Sequence, residues 1–220
     1  MKQLVDIDNW KRKENYLFFR NFANPYYTVT SVVDVSKAYD TSKRLGIKFS
    51  QFLMYASLKA VNEIESLRYR QIDGKVWLFD SIRLNTAVSL PDHSFISVIV
   101  PYKSSLKEFV MSIQEQIDLA RKGLGDAYGL DSEKDVIVIS INPWYSFTGM
   151  QFQFPENAGE NMPLSIFGKV TEDNGVKKMP VAMSFHHGFV DGYYVGQYWE
   201  KFQQNLIEWY KKDGRETKNI

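Results

Sequence analysis

The sequence predicts an α/β chain of the two-layer α+β kind, a mixed β-sheet with helices packed on one face. Three observations predict it. Strand-like segments outnumber helical ones and are joined both by tight turns and by helices, which favours a mixed sheet. The run Asp135–Ile141 (DVIVISI) is apolar without alternation, as expected of a central strand covered on both sides. The last segment carries one apolar stripe, Val195, Tyr198, Trp199, Phe202, Leu206 and Trp209, at helical spacing.

The elements follow in order. Asp8-Asn9 can cap a first helix that runs from Trp10 to about Phe22, where Asn24-Pro25 ends it. Tyr27–Val35 is rich in β-branched residues and reads as a strand. Ser50 can cap a helix whose Phe52, Leu53, Ala56, Ala60, Val61 and Ile64 share a face. Arg68–Ile72 and Val76–Phe79 flank Asp73-Gly74, a hairpin signal. Leu84–Ser89 and Phe95–Val100 read as strands about a Pro91-Asp92 turn, and Leu106–Ala120 as a helix; Gly123, Gly125 and Gly129 then make a loop. Met150–Phe154, Leu164–Val170 and Val181–His186 read as strands, with a turn at Asn174-Gly175, and the final helix starts near Asp191. No repeat or linker-like stretch interrupts residues 1–220, so one domain is expected.

Composition narrows the chemistry. The 220 residues are 44% hydrophobic and 24% charged, an ordinary globular balance. The net charge of +1 offers no general field for nucleic acid or an anionic membrane. There is no cysteine, which removes disulfides, thiolate catalysis and Cys-based zinc sites. The first residues lack an apolar h-region and no apolar run reaches membrane-spanning length, so a cytoplasmic protein is expected. Aromatic content, at 15%, fits either a rich core or a pocket for a flat apolar ligand.

Of the three histidines, His186 and His187 adjoin at the end of a strand, in SFHHGFVDGYYV. Histidine can take a proton near neutral pH and so suits activation of an alcohol. Adjacent histidines at a strand end are equally compatible with ordinary polar positions. Asp191 could orient an imidazole, cap the last helix or pair with an arginine. No third histidine stands at ligand spacing, and no metal site is expected. G-x-S-x-G, phosphate-loop and G-x-G-x-x-G patterns are all absent.

His186–Gly192 (HHGFVDG) resembles the HHxxxDG signature of chloramphenicol acetyltransferases, a pattern shared in related form by peptide-synthetase condensation domains and dihydrolipoamide acyltransferase cores. Asn9–Glu14 (NWKRKE) resembles that family's W-x-R-[KR]-E, Asn142–Thr148 (NPWYSFT) its PW-x-x-F segment, and Gly168-Lys169 its late GK. The likeness spans nearly the whole chain. It implies a CoA-dependent acyltransferase fold, acetyl-CoA as co-substrate, no metal, and a homotrimer with active sites between subunits. It implies His187 as general base, and Arg12 paired with Asp191 to hold the site's shape. Gly168 and Lys169 fall at CoA-binding positions, and Phe19, Ala23, Pro25, Tyr27 and Phe95 at positions of an acceptor pocket for a hydroxylated aromatic small molecule. Two departures stand out: Gly149 aligns with the family's oxyanion serine, with Ser146 and Thr148 close by, and Ile166 replaces a threonine that holds water. A same-fold acyltransferase with another acceptor or acyl donor, or a non-catalytic trimeric binding paralogue, is the alternative.

Overall fold

The computed structural model describes residues 1–124, 134–154 and 162–211. The predicted glycines Gly125 and Gly129 lie outside the described residues. Strands β2 (Tyr26–Asp34), β5 (Arg83–Ser89), β6 (Phe95–Val100), β7 (Val136–Ile141), β8 (Leu164–Phe167) and β10 (Val176–His186) form a sheet in the order β2-β10-β8-β7-β5-β6, with β9 (Thr171–Asp173) added to β10. The β5–β7 and β7–β8 pairs are parallel and the rest antiparallel, so the sheet is mixed. A second sheet, β1 (Lys2–Leu4), β4 (Lys75–Phe79) and β3 (Tyr69–Ile72), carries the predicted Asp73-Gly74 hairpin, and both turn residues take positive φ as that turn type requires.

Helices α2 (Ser36–Leu45), α3 (Phe49–Asn62), α4 (Leu106–Arg121) and α5 (Gly192–Lys211) pack on the main sheet. Strand alternation sets the two faces. On β7, Ile137 and Ile139 point into the helix-side core; on β8 and β10, Phe167, Val181, Met183 and Phe185 do the same. The final helix meets them with the expected stripe, in which Tyr198, Phe202 and Leu206 are fully buried. Tyr198 is a buried phenol whose hydroxyl finds Ser57 Oγ of α3 at 2.9 Å, which satisfies a polar group that burial would otherwise penalise.

Three sequence expectations need correction. The first helix, α1, spans only Lys13–Phe19, preceded by a 3-10 turn at Ile7–Asn9 that Asp6 caps. Helix α2 has no counterpart in the sequence reading: SKAYDTSKRL is amphipathic but polar overall, and its inward side buries the small residues Ala38, Thr41 and Ser42 in place of large apolar ones. Met150–Phe154 alternates like a strand but forms none; Phe154 instead stacks on Tyr26, ring centroids 3.9 Å apart. Among the described residues no helix is long and apolar enough to cross a membrane.

Candidate active site

β10 delivers the two histidines to different surroundings. His186, its last residue, is fully buried between Tyr26 and Phe189. The Gly188 N–H donates to its Nδ1 at 3.1 Å, so the neutral ring carries its proton on Nε2, which is buried without a partner among the described residues. Burial drives its pKa down to about 4. The chain turns at once: the Phe189 and Val190 N–H groups both donate to the His186 carbonyl at 3.0 Å. The turn is tight at Gly188, where a Cβ would sit 3.0 Å from His186 Cε1 and 3.3 Å from the Tyr16 backbone, so a side chain there would press on the His186 ring.

This burial has a consequence for stability. Unfolded, His186 titrates near 6.5; folded, near 4. Between those values the unfolded chain binds a proton that the native chain refuses, so stability is full above pH 6.5 and falls as pH drops toward 4, by about 3 kcal/mol. Thermal unfolding scans from pH 7 to 4.5 at fixed protein concentration are expected to show this decline, and His186→Gln is expected to flatten it. An equal slope in both proteins would contradict the assignment.

His187 leaves the strand on the other side. Its N–H donates to the Pro25 carbonyl at 2.8 Å, extending the β2–β10 pairing by one bond. Its half-buried ring stacks face to face on Phe19, centroids 4.1 Å apart and 4° from parallel, and meets Tyr27 at 4.6 Å. Its Nδ1 is enclosed and makes no hydrogen bond among the described residues. The ring is thus fixed by backbone and aromatic contacts, with its proton-carrying atoms left uncommitted. Tyr27 donates to the Val190 carbonyl at 3.3 Å; burial, reinforced by the Asp191 charge, pushes its pKa up to about 12 and keeps it a neutral donor.

Arg12 and Asp191, 179 positions apart, meet at 2.9 Å beside this turn. Burial opposes ionisation of Asp191, yet the Arg12 hydrogen bond and charge, with the Tyr193 and Tyr194 N–H groups, outweigh it and hold the carboxyl below its usual range. Arg12 also lies 5.1 Å over the Tyr194 ring. The pair therefore pins α1 to the start of α5, while Trp10 and Tyr16 pack with Phe189 beneath the histidines.

Gly168 and Lys169 lie elsewhere. Gly168 N–H donates to Pro180 O, seven residues before His187, which puts the two groups roughly 20 Å apart along β10. Both line a cavity of about 700 Å³ between the sheet and the helices, floored by Leu53, Met54, Ile113, Ile141 and Met179. Gly168 has a packing reason: a Cβ there would lie 2.7 Å from Pro180 Cγ and 2.8 Å from Phe147, the residue that seats the loop after β7. Ser146, Thr148 and Gly149 are exposed on that loop, and a side chain at Gly149 would meet open space.

Ser140, passed over in the sequence, lies on β7 between core-facing Ile139 and cavity-lining Ile141. Alternation puts it on the sheet face away from the helices, in register with Ile166. The strand-end position of β7, followed by a loop, was the signal that could have found it.

The pocket residues divide as well. Phe19, Pro25 and Tyr27 gather at His187, and Ala23 is exposed on the short link between Phe19 and Pro25. Phe95 begins β6, at the sheet edge opposite β2 and about 24 Å away across five strand spacings. No cluster of three or more potential metal ligands occurs among the described residues.

A family model described as "Chloramphenicol acetyltransferase" matches residues 2–203. A chloramphenicol acetyltransferase of Proteus mirabilis is 27% identical over 207 residues, covering 93% of this chain and 94% of that one. A solved structure named chloramphenicol acetyltransferase superposes with TM-score 0.87 at 35% identity, over 94% of this chain and 100% of its own. A probable dihydrolipoamide acetyltransferase from Listeria monocytogenes shares the fold, with TM-score 0.63 at 15% identity over 91% and 92% of the two chains.

Proposed function

Because the chain belongs to the chloramphenicol acetyltransferase family, we propose that it transfers an acetyl group from acetyl-CoA to a hydroxyl of chloramphenicol or a similar aromatic small molecule, with His187 as general base. The observation that carries this reading is the His187 ring, held by the backbone bond to Pro25 and by Phe19 and Tyr27, with no hydrogen bond to its ring nitrogens among the described residues. Nδ1 is enclosed, which leaves Nε2 as the atom that reaches substrate.

The imidazole takes the acceptor's hydroxyl proton as the oxygen attacks the thioester carbonyl. The tetrahedral intermediate collapses, the C–S bond breaks, and the imidazolium returns its proton to the leaving thiolate. The products are an acetyl ester and free CoA. Arg12 and Asp191 hold the turn that aims His187. The intermediate's oxygen needs a donor, and the hydroxyls on hand at the C-terminal end of β7 and the loop after it are Ser140, Ser146 and Thr148, besides the Gly149 N–H; loss of such a donor costs ~10²–10³ in rate. The apolar cavity lined by Gly168 and Lys169 fits an acyl carrier's uncharged arm.

The separation of these parts supports a homotrimer. Within one chain His187 stands far from both the Gly168/Lys169 cavity and Phe95. A site that uses all three needs the β10 end of one protomer against the β6–β7 side of another. Light scattering is expected to give three times the 25.6 kDa chain mass, and a monomer at working concentration would contradict it.

Ile166, apolar and half-buried beside Ser140, supports a second reading in which the acceptor or acyl group differs. Thiol release from acetyl-CoA, followed across a panel of alcohols including chloramphenicol, separates the two. Acetyl-CoA binding without release of thiol for any alcohol would make the protein a non-catalytic binding paralogue.

A further inference from the structure

Tyr26 stands where three segments meet beside the histidine turn. It begins β2 and is the register partner of His186, the last residue of β10. Its N–H donates to the Asn24 side-chain oxygen at 3.0 Å, which fixes the entry to the strand. Its ring stacks on Phe154, centroids 3.9 Å apart and 9° from parallel, and its hydroxyl accepts the Met162 N–H at 3.2 Å. Phe154 and Met162 both belong to the chain between β7 and β8, so one side chain anchors that connection at two points. The same ring meets that of His186 in a T-shaped contact, 5.4 Å away at 77°. His186 is tethered by the Gly188 N–H on Nδ1 and otherwise by packing, with Tyr26 and Phe189 as its aromatic walls. The next residue is His187, whose N–H bonds to Pro25, the neighbour of Tyr26.

We infer that Tyr26 is a positioning residue for His187: it holds the β7–β8 connection against His186 and so fixes the turn from which the His187 ring is aimed. This rests on the general-base reading of His187 above and adds a residue to it. Phe19 and Tyr27 touch the His187 ring and set its tilt, whereas the backbone that carries the ring is placed by its neighbour His186. An offset of about 1 Å in a reacting group costs up to ~10² in rate. Loss of one wall of His186 therefore reaches the chemistry without touching substrate. Packing of the β7–β8 connection alone would change the melting temperature and leave the His187 ring where it is.

The test reads the His187 ring directly. With Phe19 stacked 4.1 Å away, its ring current shifts the His187 Cε1–H and Cδ2–H resonances upfield. The chain has three histidines, so comparison with His187→Ala identifies them. In Tyr26→Ala those resonances are expected to move towards free-histidine positions. In the same variant kcat for thiol release is expected to fall roughly 10- to 100-fold, with the KM for acetyl-CoA within about twofold of wild type. Tyr26→Phe keeps the ring and loses only the Met162 bond, and is expected to restore the resonances and most of kcat. Unmoved His187 resonances in folded Tyr26→Ala, moved resonances at undiminished kcat, or equal losses in Tyr26→Phe and Tyr26→Ala would overturn the assignment. Should Tyr26→Ala fail to fold, Phe154→Leu strips the stack from Tyr26 and is read the same way: displaced His187 resonances support the assignment and unmoved ones overturn it. Wild-type protein that releases no thiol with any alcohol counts against the enzyme reading, and the resonances then still decide whether Tyr26 fixes the ring.

Discussion

Replacing His187 with alanine is expected to lower kcat by about 10²–10⁴-fold, the usual worth of a positioned general base. The KM for acetyl-CoA should change little, because the cavity lined by Gly168 and Lys169 does not include His187. The fold should survive: the one backbone bond, His187 N–H to Pro25 O, does not depend on the side chain, and the ring is only half-buried. The variant removes the stacking with Phe19 at 4.1 Å, worth about 1 kcal/mol. A stopped-flow or steady-state thiol assay beside a melting curve therefore distinguishes loss of chemistry from loss of fold. Activity within threefold of wild type would remove His187 from the reaction. The same substitution at His186 makes a useful contrast, since that side chain is enclosed and neutral and its loss should act through stability.

Local signals made much of this protein readable. The Asp73-Gly74 and Asn174-Gly175 turns need positive φ at both positions, and their residue types announce it. The stripe of α5 has to be apolar because it covers β8 and β10, so it stood out. What failed was local in a different way. Helix α2 is periodic, but its buried positions are Ala38, Thr41 and Ser42, so its inward side carries few of the large apolar residues that mark a stripe. Gly46, with φ 66° and the Gly46 and Ile47 N–H groups bonded back to Lys43 and Ser42, was the available C-terminal signal. In Met150–Phe154 alternation reflected one aromatic contact, Phe154 on Tyr26, in place of a sheet face.

The site divides along the same line. His186 and His187 adjoin in sequence and were found there, but nothing in the residues alone told which ring is enclosed. That depends on Gly188, Tyr26 and Phe189 closing over His186. The Arg12–Asp191 pair, 179 positions apart, was reached through the family's pattern and not by spacing. Lys48, Arg121 and Lys169 come from three separate segments, and only folding brings them to one cavity.

The largest stability effect is expected at Arg70, a residue without any part in the chemistry. Its guanidinium is fully buried, with no carboxylate bonded to it among the described residues. It donates to four backbone carbonyls instead: Nε to Lys134, Nη1 to Leu67 and Tyr69, and Nη2 to Val136, all at 2.8–2.9 Å. Burial lowers its pKa to about 10, which still leaves it charged at neutral pH. These bonds tie the start of β7 to β3 and so join the small sheet to the large one. Arg70→Met keeps the apolar stem and leaves those carbonyls buried and unpaired, at about 1–3 kcal/mol for each one that water cannot reach. A net loss of about 3–5 kcal/mol follows, and a melting temperature lower by roughly 6–20 °C at matched protein concentration. Arg70→Lys should recover only part of it, since an ammonium cannot reach all four acceptors from one stem. A shift below 2 °C in Arg70→Met would mean that water enters and takes over the carbonyls, and that β7 is held by its neighbours β5 and β8 alone.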